Sequence, residues 1–196
     1  MSLRQYVFSK ILASASQHHE PLIAEHKRRL FANLEGRVLE IGPGAGINFQ
    51  YFPPGLDWTG YEPNPYLARQ IQHPNLIQSP FTSEAPNSFD FAISTLVLCS
   101  VNNPAAVLKG IYQVLKPNGA LLYLEHVAAP PNSPLAKSQH RWQPIWRCLA
   151  DGCHPTRHTS QAIEAAGFTI EGEDRFDLPL WLASPHICGI ARKINN

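Results

Sequence analysis

Three glycines at every second position, Gly42, Gly44 and Gly46, follow the carboxylate of Glu40 in Glu40-Ile41-Gly42-Pro43-Gly44-Ala45-Gly46. Glycine lets the backbone approach a ligand closely, and a helix starting here would turn a positive end toward a carboxylate. Such a loop suits a nucleotide-like ligand. Glu62, roughly 20 residues on, can accept hydrogen bonds from both hydroxyls of a ribose. The dinucleotide pattern G-x-G-x-x-G is not met, because Ile47 stands where its third glycine packs helix on strand. Farther along, His126, Asp151 and His154 are the titratable side chains best placed to face a second substrate, and an imidazole can take its proton.

These residues need strand ends to hold them. Arg37 to Ile41 reads as a short strand running into the glycine loop and a helix-like Ile47 to Tyr51. Asp57 to Tyr61 is a second strand ending at Glu62, followed by a helical stretch through Leu67 and Ile71. Leu76-Ile77, Phe89 to Leu98 and Ala120 to Val127 continue the series, with a helix from Pro104 to Leu115 stopped by Lys116-Pro117-Asn118-Gly119. Strands alternating with helices predict a parallel sheet covered on both faces. Upstream, residues 4 to 14 and 20 to 34 carry helical apolar spacing, with Leu22, Ile23, Leu30 and Phe31 on the second face and Pro21 in its first turn.

After Pro130 the rhythm breaks. Trp142, Ile145, Trp146 and Leu149 share one helix face, giving a lid over residues 130 to 158 in which packing is the expected role of Trp142 and Trp146. A helix from Thr159 to Ala166 behind a Thr or Ser cap precedes the last strands, Phe168 to Gly172 and Ile187 to Ala191, read as an antiparallel hairpin at the sheet edge. One domain over residues 1–196 is expected: a helical cover to 35, a cofactor-binding core over 36–129, the lid, and a C-terminal helix and hairpin over 159–196.

With 196 residues and 44% apolar content, the chain can bury its own core. Sixteen Lys plus Arg against 15 Asp plus Glu, with no basic stripe, argue against nucleic acid and for a small-molecule partner. No apolar run is long enough to span a membrane and no secretory signal is evident, so a cytoplasmic location is expected. Cys99, Cys148, Cys153 and Cys188 read as free thiols. Cys148, Cys153, His154 and His158 lack paired zinc-ligand spacing, so no metal is expected. The sequence leaves the oligomeric state open.

The alternate-glycine loop with its leading acid resembles the class I S-adenosylmethionine-dependent methyltransferases. Phe89-Asp90, Val114 to Gly119 and Ala165-Ala166-Gly167-Phe168 are similar to their later motifs. The resemblance implies a Rossmann-like α/β sandwich with a seven-stranded, mostly parallel sheet whose last strand is antiparallel. It also implies cofactor contacts from Glu40, Gly42, Gly44, Gly46, Asn48, Glu62, Pro63, Thr95 and Leu96. Tyr51 to Gly55, Glu62 to Pro65, Thr95 to Val101, Leu124 to Ala128, Asp151-Gly152-Cys153 and Pro185 to Gly189 resemble the methyltransferase-like seven thiol S-methyltransferases, over about residues 37 to 193. The membrane-anchoring N-terminal segment of the animal enzymes is expected to be missing. The stretch from Tyr66 to Ser88 is shorter than theirs and lacks a Gly-Glu beside adenine; Phe81 or nearby amides are the expected substitute.

Methyl transfer from a sulfonium is an in-line displacement, so the protein chiefly aligns the nucleophile and excludes water. The expected acceptor is small and hydrophobic, a thiol first; a phenol, amine or quinone, taking the methyl on oxygen, nitrogen or carbon, would use the same cofactor apparatus. A nicotinamide oxidoreductase and a catalytically silent cofactor-binding module are the competing classes. His126 reads equally as a structural histidine, Asp151 as a loop cap for Gly152 and Cys153, and Cys153 as a buried pocket-lining residue rather than a nucleophile.

Overall fold

Alternation along the strands divides their side chains between two hydrophobic layers in the computed structural model, which describes residues 18–150 and 152–194. Seven strands form one sheet: β1 (Arg37–Ile41), β2 (Asp57–Tyr61), β3 (Leu76–Ile77), β4 (Phe89–Thr95), β5 (Leu115–His126), β6 (Thr169–Asp177) and β7 (Pro185–Arg192). Their order is β3-β2-β1-β4-β5-β7-β6. β7 runs antiparallel to both β5 and β6, and every other pairing is parallel.

Leu39, Ile41, Leu121 and Tyr123 face helices α3 (Pro104–Val114) and α5 (Thr159–Ala165), where Leu108, Ile111 and Ile163 complete one core. Val38, Ile93, Leu122 and Leu124 face the other side, against Ile23, Leu30 and Phe31 of α1, the helix over residues 18–31. Two buried faces are what a parallel sheet requires. In α1 the sequence expectation needs correcting at Leu22, which is exposed; Lys27 takes a buried place instead, its charge held 2.8 Å from Glu20. The helix expected over residues 4 to 14 lies outside the described residues.

Four details differ from the sequence reading. β5 begins at Leu115, because Leu115 pairs with Phe89 before the four residues Lys116 to Gly119 bulge out of register. The edge hairpin is longer than expected, running through Asp177 and from Pro185. α5 is preceded by His158, with no side-chain cap, and the hydroxyl of Thr159 is buried without a partner among the described residues. The segment after the glycine loop is a five-residue 3-10 turn, Ile47–Tyr51, rather than an α-helix.

The lid is α4 (Pro134–Leu149), preceded by Ser133, whose hydroxyl accepts from the amide of Ala136. Gln139 fastens it. Its side-chain oxygen accepts from the amide of Ala129, and its amide nitrogen donates to the carbonyls of Val127 and Leu182. Contrary to the packing role expected of Trp142, that ring is 39% exposed, Ile145 53% and Leu149 63%. Gln139 is buried while these residues stay open to solvent, and Trp142 meets the exposed Trp181 at a centroid distance of 6.1 Å.

Candidate active site

The register that pairs Ile41 with Tyr61 and with Ser94 brings the carboxyl ends of β1, β2 and β4 side by side. From the central one springs the glycine loop. Gly42, Gly44 and Gly46 have φ of 58°, 61° and 79°, all left-handed, which is the region where a side chain is strained. Space is closed too: a Cβ on Gly42 would stand 2.7 Å from Cγ2 of Val97, and one on Gly46 would stand 2.9 Å from the ring of Phe49. The loop therefore lies against the turn that follows β4.

Glu62 closes the other side. The amide of Gly44 donates to its Oε2 at 2.9 Å and the amide of Asn64 to its Oε1 at 2.7 Å, so a buried carboxylate at the end of β2 is aimed across the loop. Pro63 is exposed beside it and Asn64 caps the short helix α2 (Pro65–Ala68). Glu40 stands behind the loop. It is 1% exposed and accepts from Asn48 Nδ2 and from Trp58 Nε1, each at 2.7 Å, tying the 3-10 turn to β2. Burial pushes its pKa up from the usual carboxylate range, opposed by those two hydrogen bonds. Asn48 also donates to Thr95 Oγ1 at 3.3 Å, which links loop to β4, while its own Oδ1 is buried without a partner among the described residues. Leu96 follows with φ 58°, turning the chain sharply out of the strand.

Phe81 lies at the flank of this group. Its ring meets Tyr61 edge-on at 5.3 Å and sits where a side chain on Gly110 would go, so it packs β2 against α3 at the flank of the strand ends.

One buried residue escaped the sequence reading altogether. Glu125, fully enclosed near the end of β5, accepts from Ser94 Oγ at 2.6 Å, from the amides of Val97 and Leu98 at 3.1 Å each, and from that of Cys99 at 3.4 Å. Arg157 takes the opposite polarity of the same turn, donating to the carbonyls of Leu98 and of Val101, the latter at 2.5 Å. The turn after β4 is thus held at its amides by a carboxylate and at its carbonyls by a guanidinium. A buried acid before a histidine was the available signal in Leu124-Glu125-His126.

The three expected titratable residues separate. His126 is 3% exposed, with Nδ1 3.4 Å from Cys153 Sγ and Nε2 buried without a partner among the described residues. His154 is half-buried and its Nδ1 lies 3.1 Å from Gln143 Nε2; burial, then Arg157 and Arg147, hold its pKa below the usual imidazole range. Asp151 lies outside the described residues. Of the four residues weighed for zinc, Cys148 and His158 are exposed and do not join Cys153. An open cleft of about 500 Å³ sits at the opposite, amino end of the strands, between Glu35, Asp90, Lys116 and Arg192, remote from all of these groups.

A glycine loop on the central strand end, with an acid on its neighbour and a reversed last strand, defines a Rossmann-like methyltransferase. The solved structures alike in fold include a chain of the Haloferax volcanii complex between the Trm112 methyltransferase activator and a methyltransferase, at TM-score 0.73 and 12% identity, covering 100% of this chain and 99% of that one. The [4+2]-cyclase SpnF is another, at TM-score 0.65 and 18% identity over 93% and 82%, so this fold alone does not fix the reaction. Residues 15–172 match the methyltransferase domain family. The human thiol S-methyltransferase TMT1B is 34% identical over 95% of this chain and 86% of its own, and the human TMT1A is 36% identical over 87% and 80%. The chain belongs to the methyltransferase domain family and, within it, to the family of these thiol S-methyltransferases.

Proposed function

We propose that this enzyme moves the methyl group of S-adenosylmethionine to a small hydrophobic thiol. The observation that supports the reading most directly is the Gly44 amide and Glu62 carboxylate facing each other at adjoining strand ends, in a chain whose relatives carry thiol S-methyltransferase names. The residues fit that nucleoside. Three left-handed glycines leave the backbone open to close approach, Glu62 suits ribose hydroxyls, and the orphaned Oδ1 of Asn48 can accept from an amine. Gly42, Gly44, Gly46, Asn48, Glu62, Pro63, Thr95 and Leu96 would hold it, with Glu40 fixing the loop from behind and Phe81 at the flank. When bound, the cofactor supplies a methyl group on a sulfonium, open to in-line displacement.

The protein's part is alignment, worth roughly 7–11 kcal/mol when reacting atoms are well placed. Glu125 and Arg157 keep the turn after β4 rigid beside the loop. A thiol of ordinary pKa near 8.5 already supplies some thiolate at neutral pH, so a strong base is not needed. In this reading His154 orients the acceptor, and Asp151 is a further acceptor-side residue. The exposed aromatic pair Trp142 and Trp181 favours an apolar acceptor at the lid. No helix among the described residues is long and apolar enough to cross a membrane. A cytoplasmic location is part of the reading.

Incubation with S-adenosylmethionine labelled in its methyl group, against a panel of apolar thiols, phenols and amines, tests the proposal. Label recovered on thiols is the expected result. Label on phenols or amines alone would reassign the acceptor, and no transfer to any acceptor would overturn the proposal.

A further inference from the structure

Cys99, His126 and Cys153 come from three separate segments: the turn after β4, the end of β5 and the loop after α4. Folding brings a ligating atom of each within 4.8 Å of the other two, and all three residues are buried. No other group of three or more such residues gathers among the described residues. The segments are also joined by backbone, since the amide of His154 donates to the carbonyl of Cys99 at 2.8 Å.

We propose that Cys99, His126 and Cys153 form a binding site for a soft divalent cation of the zinc class. Zinc holds thiolate at about 2.3 Å and imidazole at about 2.0–2.1 Å, so tetrahedral geometry sets sulfur and nitrogen about 3.5 Å apart and two sulfurs about 3.8 Å apart. Cys153 Sγ and His126 Nδ1 are 3.4 Å apart, and Cys99 Sγ, within 4.8 Å of a ligating atom of each, completes the group. His126 would offer Nδ1, the ring nitrogen beside Cys153, and carry its proton on Nε2, which is buried without a partner among the described residues. Two thiolates neutralise a divalent cation, so the loaded site adds no net charge to the interior.

Three protein ligands leave a fourth position, the arrangement of catalytic rather than structural zinc. Cys99 shares the turn after β4 with Val97, the side chain that fills the space beside Gly42. Resting on the thiol reading above, the acceptor takes that position as thiolate: its S–H bond breaks, a sulfur–metal bond forms, and the proton leaves to water. The ion would also clamp the lid loop, through Cys153, to the ends of β4 and β5.

The full chain, freed of any affinity tag and stripped of metal, is titrated with Co(II) and Zn(II), with metal content read by plasma mass spectrometry and thiol state by intact mass. About one ion per chain is expected, with a thiolate-to-cobalt charge-transfer band that C99S and C153S each lose and C148S keeps. Adding 2-mercaptoethanol is expected to shift that band; no shift would overturn the fourth-position assignment. Stripped wild-type protein with reduced thiols that binds neither ion, or a Cys99–Cys153 disulfide in its place, would overturn the site without relying on any variant folding. S-adenosylmethionine titrated into the same samples separates the readings: cofactor binding without metal sinks only this inference, and metal without cofactor sinks only the methyl-transfer reading.

Discussion

The backbone amide of Gly44 lies 2.9 Å from Oε2 of Glu62, a residue eighteen positions later on the neighbouring strand. That bond makes the loop and the acid one unit: the carboxylate is oriented by the backbone it faces, and the loop is held in shape by the carboxylate. Glu62→Ala should therefore act twice. Losing hydrogen bonds to a charged group costs roughly 1.5–3 kcal/mol each, so cofactor affinity should fall at least tenfold in calorimetric titration. The orphaned amides of Gly44 and Asn64 should lower the melting temperature by a few degrees while circular dichroism stays native.

Gly42→Ala tests the loop independently. The new methyl would have to adopt φ 58° and would meet Val97 at 2.7 Å. Strain of this kind costs of order 1–3 kcal/mol. Cofactor binding should be lost with a stability decrease of that size in urea unfolding, and G42A/V97A should recover part of the stability but not relieve the strained φ.

Gln139 decides whether the lid stays docked. Replacing it by Ala would leave the amide of Ala129 and the carbonyls of Val127 and Leu182 without the partner they now share, in a side chain 1% exposed. An unsatisfied buried group costs about 1–3 kcal/mol. Each group left bare should lower the melting temperature of Gln139→Ala by about 2–12 °C at the roughly 2–4 °C per kcal/mol expected for this size, and amide exchange in α4 should rise before that of the sheet.

His186 gives the protein a pH signature. Burial pushes its imidazole down from 6.5 to about 4, and its Nδ1 lies 3.0 Å from the carbonyl of Ser184. A histidine kept neutral in the native state contributes stability in full above its unfolded pKa of about 6.5 and loses it as pH falls through about 4. The shift corresponds to about 3 kcal/mol. Melting temperatures measured from pH 7 to pH 4 should fall more steeply for the wild type than for His186→Gln; parallel curves would show that His186 carries none of the effect.

Strand ends and the glycine loop could be read from residue order because each rests on local signals: a β-rich run, a turn residue, a helix stop. The parallel sheet followed from their alternation, and its reversed last strand from the resemblance to the class I methyltransferases. Glu125 could not be read that way, since its role depends on amides 26 to 28 residues away that only the β4–β5 register brings together. Cys99, His126 and Cys153 were illegible for the same reason; zinc spacing is recognisable when ligands are close in sequence, and these meet only in space. The tryptophan face of α4 misled in the other direction, because helical spacing shows that side chains share a face and not which way the face turns. Of that face Trp146 is half-buried, whereas Trp142, Ile145 and Leu149 are exposed.

Calorimetric titration of the wild-type chain with S-adenosylmethionine and, separately, with NADH tests the central claim most directly. Saturable binding of the sulfonium nucleoside at one site, weakened by Glu62→Ala, is expected, with none of the nicotinamide. Tight binding of NADH with none of S-adenosylmethionine would contradict it.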